Sequence, residues 1–269
     1  MRKPSSAPSS SAITTAWIRK RLKEHADPAS VAILQGFFKT GPGEYGEGDI
    51  FIGVRLPAMR AICRECRGAT LDAVRPMLRS PVHEERALAL LMLVDAFKRA
   101  GERERHQIYA FYLSNTQYIN NWDLVDVSAA QIVGGWLLDR SRSPLDRLAR
   151  SGSLWERRIA IIATFHFIKL GDFDDTFRIA NRLLTDLHDL IHKAVGWMLR
   201  EVGNRDGAAE RRYLAARYDR MPRTMLRYAS EKFPEQERQD YLKGRIIVSR
   251  SAGRSAKSSS PRKSASANR

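Results

Sequence analysis

Glu85-Arg86-Ala87-Leu88-Ala89-Leu90-Leu91 and Glu156-Arg157-Arg158-Ile159-Ala160-Ile161-Ile162 carry the same order of charged and apolar residues at an offset of 71 positions. That offset is twice about 35, which predicts one further unit between them. Placing Ala89, Val125, Ala160 and Val195 at equivalent positions gives steps of 36, 35 and 35 residues, room for two helices in each unit. Helical periodicity continues through Phe173 to Leu184, Ala208 to Tyr218 and Thr224 to Phe233, and no alternating strand pattern interrupts it. The fold expected is all-α: a curved α-solenoid of antiparallel helix pairs. Such a stack buries one continuous core and leaves a concave face that suits an elongated ligand such as a duplex.

Upstream of the repeats, Ile13 to His25 reads as a helix with Trp17, Ile18 and Leu22 on one side, closed by Asp27-Pro28. A second helix runs to about Phe38. Lys39 to Asp49 then holds four glycines and a proline, which excludes regular structure, and it lacks the Gly-Lys-Ser/Thr of a nucleotide cradle. Phe51-Ile52-Gly53-Val54-Arg55-Leu56-Pro57 leads into a helix with Pro57 in its first turn. The organisation expected is a flexible N-terminus at 1–12, a single helical-repeat domain at 13–244 and a disordered basic tail at 245–269.

Charge narrows the partner. The chain carries a net +16 with a pI near 10.3, which points to a polyanion, with nucleic acid the default. The tail supplies seven cations (Arg245, Arg250, Arg254, Lys257, Arg262, Lys263, Arg269) and no acid, so the remainder still holds +9 of the +16. A tail of that kind adds salt-sensitive affinity for DNA or RNA that is blind to sequence. No apolar run reaches the length of a membrane span, and Met1 to Ser11 lacks the apolar core of a secretory signal. A cytoplasmic, nucleoid-associated protein without membrane contact is expected. Cys63 and Cys66 have no second pair to complete four metal ligands and read as structural thiols.

Two helices carry candidate chemistry. In Asn120-Asn121-Trp122-Asp123-Leu124-Val125-Asp126, Asn121 is a natural N-cap and Asp123 complements the positive end of the helix dipole. Asp126 lies at about 40° from Trp122 on the helical wheel, on the edge of the stripe made by Val125, Ala129, Ile132, Val133 and Trp136. A carboxylate beside an indole and an apolar wall suits a cation; equally, it suits an ordinary boundary Asp satisfied by a nearby Arg. In His192 to Val202 the core face is Val195, Met198, Leu199 and Val202, and Lys193, Trp197 and Arg200 fall about 140–200° away. An indole between two cations fits a base or sugar flanked by phosphates, or else interhelical packing. Arg158 and Lys169 share a further basic stripe. His188 and His192 have the spacing of zinc proteases, but Asp189 follows where the Glu base would stand and no third ligand appears, so no metal is expected.

Taken together, Phe51-Ile52-Gly53-Val54-Arg55, Trp122-Asp123-Leu124-Val125-Asp126, Trp155-Glu156-Arg157-Arg158 and Lys193-Ala194-Val195-Gly196-Trp197-Met198-Leu199-Arg200-Glu201 resemble, in order and spacing, the AlkD-type DNA alkylation-repair glycosylases. The resemblance spans roughly residues 30–240 and implies HEAT-like repeats. It implies hydrolysis of the N-glycosidic bond of N3- or N7-alkylated purines in double-stranded DNA, with no metal or organic cofactor. It places the catalytic Asp at Asp126, aromatic partners at Trp122 and Trp197, a backbone-contacting Arg at Arg158 and further basic positions at Lys193 and Arg200. The chain departs from the best-known members in its longer glycine-rich loop and in Phe37-Phe38, where they carry a tyrosine. Some relatives are thought to bind DNA without excising bases, so a non-catalytic binder of damaged or branched DNA is the alternative, and a helical scaffold for an acidic protein is a third. A monomer without an obligate protein partner is expected.

Overall fold

The computed structural model describes residues 13–246; the expectations for 1–12 and 247–269 lie outside them. In chain order the helices are α1 (Thr15–Lys23), α2 (Pro28–Phe38), α3 (Leu56–Glu65), α4 (Leu71–Leu78), α5 (His83–Arg99), α6 (Glu102–Leu113), α7 (Trp122–Asp126), α8 (Gly135–Leu137), α9 (Ser143–Ala149), α10 (Leu154–Ala163), α11 (Phe165–Ile168), α12 (Asp174–Arg182), α13 (Asp189–Gly203), α14 (Gly207–Ala215), α15 (Arg223–Ala229) and α16 (Glu235–Leu242). Among the described residues no strand occurs; an isolated bridge pairs Ile50 with Val82.

The repeat register read from the sequence is the register of the stack. Ala89, Val125, Ala160 and Val195 sit in α5, α7, α10 and α13, and each is fully buried. Those helices pack one on the next, and α13 packs in turn on α15. A second layer lies against this row: α4 and α6 on α5, α9 on α10, α12 and α14 on α13, α16 on α15. The architecture is therefore all-helical and of solenoid type, with one core cluster running from Ile13 to Tyr241.

Starts are fixed locally. Thr14, Asp27, Thr70, Asn121, Ser153 and Asp206 each accept a backbone N–H of the following first turn, satisfying donors that have no partner within the helix. The glycine-rich segment is a run of turns as expected, and Gly53 beyond it has φ +87. A Cβ there would also collide with the carbonyl of Asp27, so only glycine fits.

One element differs from the sequence expectation. The periodic run from Trp122 to Trp136 is not one helix: α7 is only five residues long, a turn follows at Val127-Ser128, and Ala130–Gly134 forms a π-helical segment leading into α8. The Ser128 hydroxyl bonds back to the carbonyl of Leu124 (2.6 Å) and meets the Tyr112 hydroxyl (3.0 Å), which competes with helix continuation. Gly134 then allows the backbone to approach α10 so closely that any Cβ would clash with the carbonyl of Ala163. The consequence is positional: Asp126 is the last residue of a short helix.

Candidate DNA-processing site

A carboxylate at the C-terminal end of a helix faces the negative pole of that helix and needs a cation. Arg158 from α10 supplies it: Nε donates to Oδ1 of Asp126 at 2.9 Å and Nη2 to Oδ2 at 2.8 Å. Nη1 donates to the Leu190 carbonyl in the first turn of α13 at 2.6 Å. One guanidinium thus fastens three successive inner helices. Its side chain is only 6% exposed and that of Asp126 15%. Burial raises the proton affinity of Asp126, Arg158 opposes that rise, and Asp123 adds to it.

Arg158, expected to touch the nucleic-acid backbone, is turned inward and is the arginine that satisfies the boundary carboxylate.

Asp126 nevertheless keeps an open edge, because it lines two cavities. The first, about 310 Å³, is almost wholly apolar, walled by Phe37, Phe38, Phe51, Met59 and Trp122. Trp122 stacks on Phe38 at 5.4 Å and meets Phe37 edge-on at 5.6 Å. The second, about 510 Å³, presents Arg60, Arg64 and Arg67 of the α3 region with Lys98 and Gln131. Sequence reasoning missed this cluster, although Arg60 and Arg64 stand at i, i+4 on one helix face. The basic row continues to Lys169, whose proton affinity falls through burial first and then through Arg205 and Lys98. The Lys169 ammonium lies over the Phe165 ring at 4.2 Å, and Phe165 lies 6.0 Å from Trp197.

Trp197 itself lines neither cavity. It is half-buried, donates from Nε1 to Glu201 at 3.1 Å, and reaches the Asp126 cleft only through the Phe165–Lys169–Lys98 sequence of contacts and charges. Lys193 pairs with Asp189 at 2.8 Å across one turn and keeps 39% of its side chain exposed. Arg200, expected on the nucleic-acid face, pairs instead with Glu231 beyond α15 and is mostly covered. His188 caps α13 through Nδ1, which accepts from the Leu190 N–H at 3.1 Å. Cys63 and Cys66 are free and buried, and burial pushes the thiols up to about 11 and about 12.

A charge network that sequence reasoning missed backs the aromatic wall. His83 is buried, with Nδ1 3.0 Å from Asp49 and Nε2 2.9 Å from Asp123. Its ring packs against both Phe51 (4.6 Å) and Phe38 (4.8 Å), which also stack on each other at 5.3 Å. Asp49 also receives Arg86 Nη2 at 2.6 Å. Burial alone would strip the proton from His83, but the hydrogen bonds to Asp123 and Asp49 raise its pKa to about 9. Beside it the buried Glu84 accepts the N–H groups of Ile52, Gly53 and Val54 at 3.1, 2.8 and 3.2 Å. The glycine-rich loop therefore has an anchored end at Asp49. Its Tyr45 meets Trp155 edge-on at 6.1 Å.

A family model described as "DNA alkylation repair enzyme" matches residues 18–233. Among solved structures, the chain is similar to a predicted DNA alkylation repair enzyme from Enterococcus faecalis. Identity is 16% and TM-score 0.60, over 78% of this chain and 98% of that one, a likeness of fold. Comparison with curated proteins found no match.

Proposed function

The chain belongs to the family of DNA alkylation repair enzymes, and from that premise we propose that it is a DNA glycosylase of base-excision repair acting on cationic N3- or N7-alkylated purines in duplex DNA. The observation that carries this reading is the Asp126 carboxylate: buried and fixed, yet open to an aromatic cavity on one side and a cationic cleft on the other.

Alkylation makes the purine cationic, so when the C1′–N bond breaks its electron pair neutralises the departing base and positive charge moves to the deoxyribose. Asp126 would stabilise that oxocarbenium-like sugar and accept the proton of the water that adds to C1′. Attraction between unit charges at 4 Å is about 4 kcal/mol at an effective dielectric near 20, and each 1.36 kcal/mol is about tenfold in rate. Arg158 offsets part of that attraction while fixing the geometry, so the carboxylate suits a leaving group that is already labile. Trp122 adds a cation–π contribution of about 0.5–2 kcal/mol; Trp197 would share that role only where bound DNA extends beyond the Asp126 cavities to reach it. Arg60, Arg64, Lys98 and Lys169 would hold phosphates along a concave, HEAT-like face. Lys193 joins them by exchanging its exposed Asp189 partner, a swap of about 0–1 kcal/mol. Arg200, committed to Glu231, is not counted among the phosphate contacts.

The test is incubation with duplex DNA containing N7-methylguanine, scoring free base and abasic sites. Asp126→Asn is expected to lower base release by at least tenfold with DNA affinity nearly unchanged; unaltered release would remove Asp126 from the mechanism. Tight, salt-dependent binding without any base loss by the wild-type chain would favour the non-catalytic binder of damaged or branched DNA.

A further inference from the structure

Two carboxylates, Asp123 and Asp126, stand one turn apart on α7, and each has its own buried cation from a different helix: His83 of α5 for Asp123 and Arg158 of α10 for Asp126. We infer that His83 is a positioning residue for Asp126: its imidazolium cancels the charge of Asp123 and so keeps the neighbouring carboxylate ionised. The inference rests on the proposed role of Asp126 in base release.

Asp123 and Asp126 are i, i+3 neighbours, about 5–6 Å apart at Cβ, and Asp123 favours the protonated form of Asp126. A neutral Asp126 offers nothing to a developing sugar cation. His83 is built to remain charged: its ring is 2% exposed, both nitrogens face carboxylates at 3.0 and 2.9 Å, and neither nitrogen is left to act as an acceptor. Arg86, which bonds Asp49 on the far side, works against the proton, and the hydrogen bonds to Asp123 and Asp49 outweigh it. The groups facing Asp126 from elsewhere are Arg158 of α10, Tyr112 of α6, Arg55 and Glu84 around the apolar cavity and, across the cleft, Arg60, Arg64, Arg67 and Lys98, with Asp95 among them. Every one of these is unchanged by substitution at His83, so the effect of that substitution is readable.

The experiment measures the acid limb of base release from N7-methylguanine DNA, together with titration of the Asp126 carboxyl carbon by NMR in the full chain without DNA. His83→Gln leaves Asp123 uncompensated and is expected to move both upward by about one to two pH units. Asp123→Asn removes the like charge beside Asp126 while His83 stays paired with Asp49, and is expected to move both downward. The double variant returns near the wild-type position. A packing role for His83 predicts no such opposition of sign. Shifts of the two single variants in the same direction, an unmoved limb, or a double variant that stays displaced would overturn the inference. Should His83→Gln fail to melt cooperatively, Asp123→Asn alone decides it, because an upward or absent shift there contradicts the charge argument. If Asp126→Asn releases base like the wild type, the proposed role of Asp126 fails, whereas the carboxyl titration still tests His83.

Discussion

Replacing Arg158 by methionine keeps most of the side-chain volume and removes the cation that Asp126 depends on. Three hydrogen bonds disappear, two to the carboxylate and one to the Leu190 carbonyl. With side-chain exposures of 6% and 15%, solvent recovers little of the loss. Breaking such a buried pair from one side costs about 3–5 kcal/mol, mainly because the remaining charge is left unpaired. For a chain of this length about 1 kcal/mol corresponds to roughly 2–4 °C in Tm, so a fall of about 6–20 °C is expected. Thermal and urea unfolding at pH 7, followed by helical circular dichroism, give the measurement. Arg158→Met combined with Asp126→Leu removes both charges and is expected to regain at least about 2 kcal/mol relative to the sum of the single losses. A loss below about 1 kcal/mol, or strictly additive losses in the double variant, would refute the account of Arg158 as the counter-ion that holds Asp126.

Two further outcomes follow from charge. Glu210, raised to about 8 chiefly by burial, and His83, raised to about 9, both bind protons more tightly when folded. Their contributions are complete below the unfolded values, about 4.5 and about 6.5, and are lost as pH rises through about 8 and about 9. Tm should therefore decline from pH 6 to pH 9.5, and Glu210→Gln should make the decline shallower below about pH 8, leaving the share of His83 between about pH 6.5 and about 9; a flat profile would contradict both assignments. In the cleft, Arg60→Ala, Arg64→Ala and Lys98→Ala should each weaken duplex binding and reduce the slope of log affinity against log salt by about one, measured by fluorescence anisotropy; an unchanged slope would remove that cation from the phosphate path.

Much of the architecture was legible because it repeats. Ala89, Val125, Ala160 and Val195 are small residues at the tightest positions of successive inner helices, and a spacing near 35 residues survives in the sequence whatever the loops between them do. The break after Asp126 was not legible: Ala129, Ile132 and Val133 remain buried, so the apolar pattern stays helical while Ser128 and Gly134 change the backbone beneath it. At the site, the Asn121 cap that starts α7 could be read locally, while the basic face of α3 was passed over although its i, i+4 spacing was there to find. The partner of Asp126 could be guessed only as some arginine, because Arg158 is 32 positions away. His83 had no signature at all, since its two partners lie 34 and 40 positions off in a loop and in another repeat. For Arg200 the wheel shows which face the side chain leaves from, but not its pairing with Glu231, 31 positions away.

The bond from Arg158 to the Leu190 carbonyl has a kinetic consequence. Stacked helix pairs touch only their neighbours, so the ends of such an array open more readily than its middle. Here the amide groups of α7 should exchange with solvent deuterium no more slowly than the opening of the first turn of α13 allows, because that opening frees one arm of the guanidinium. Fraying at the C-terminal units would then be felt at the carboxylate before α7 itself lets go.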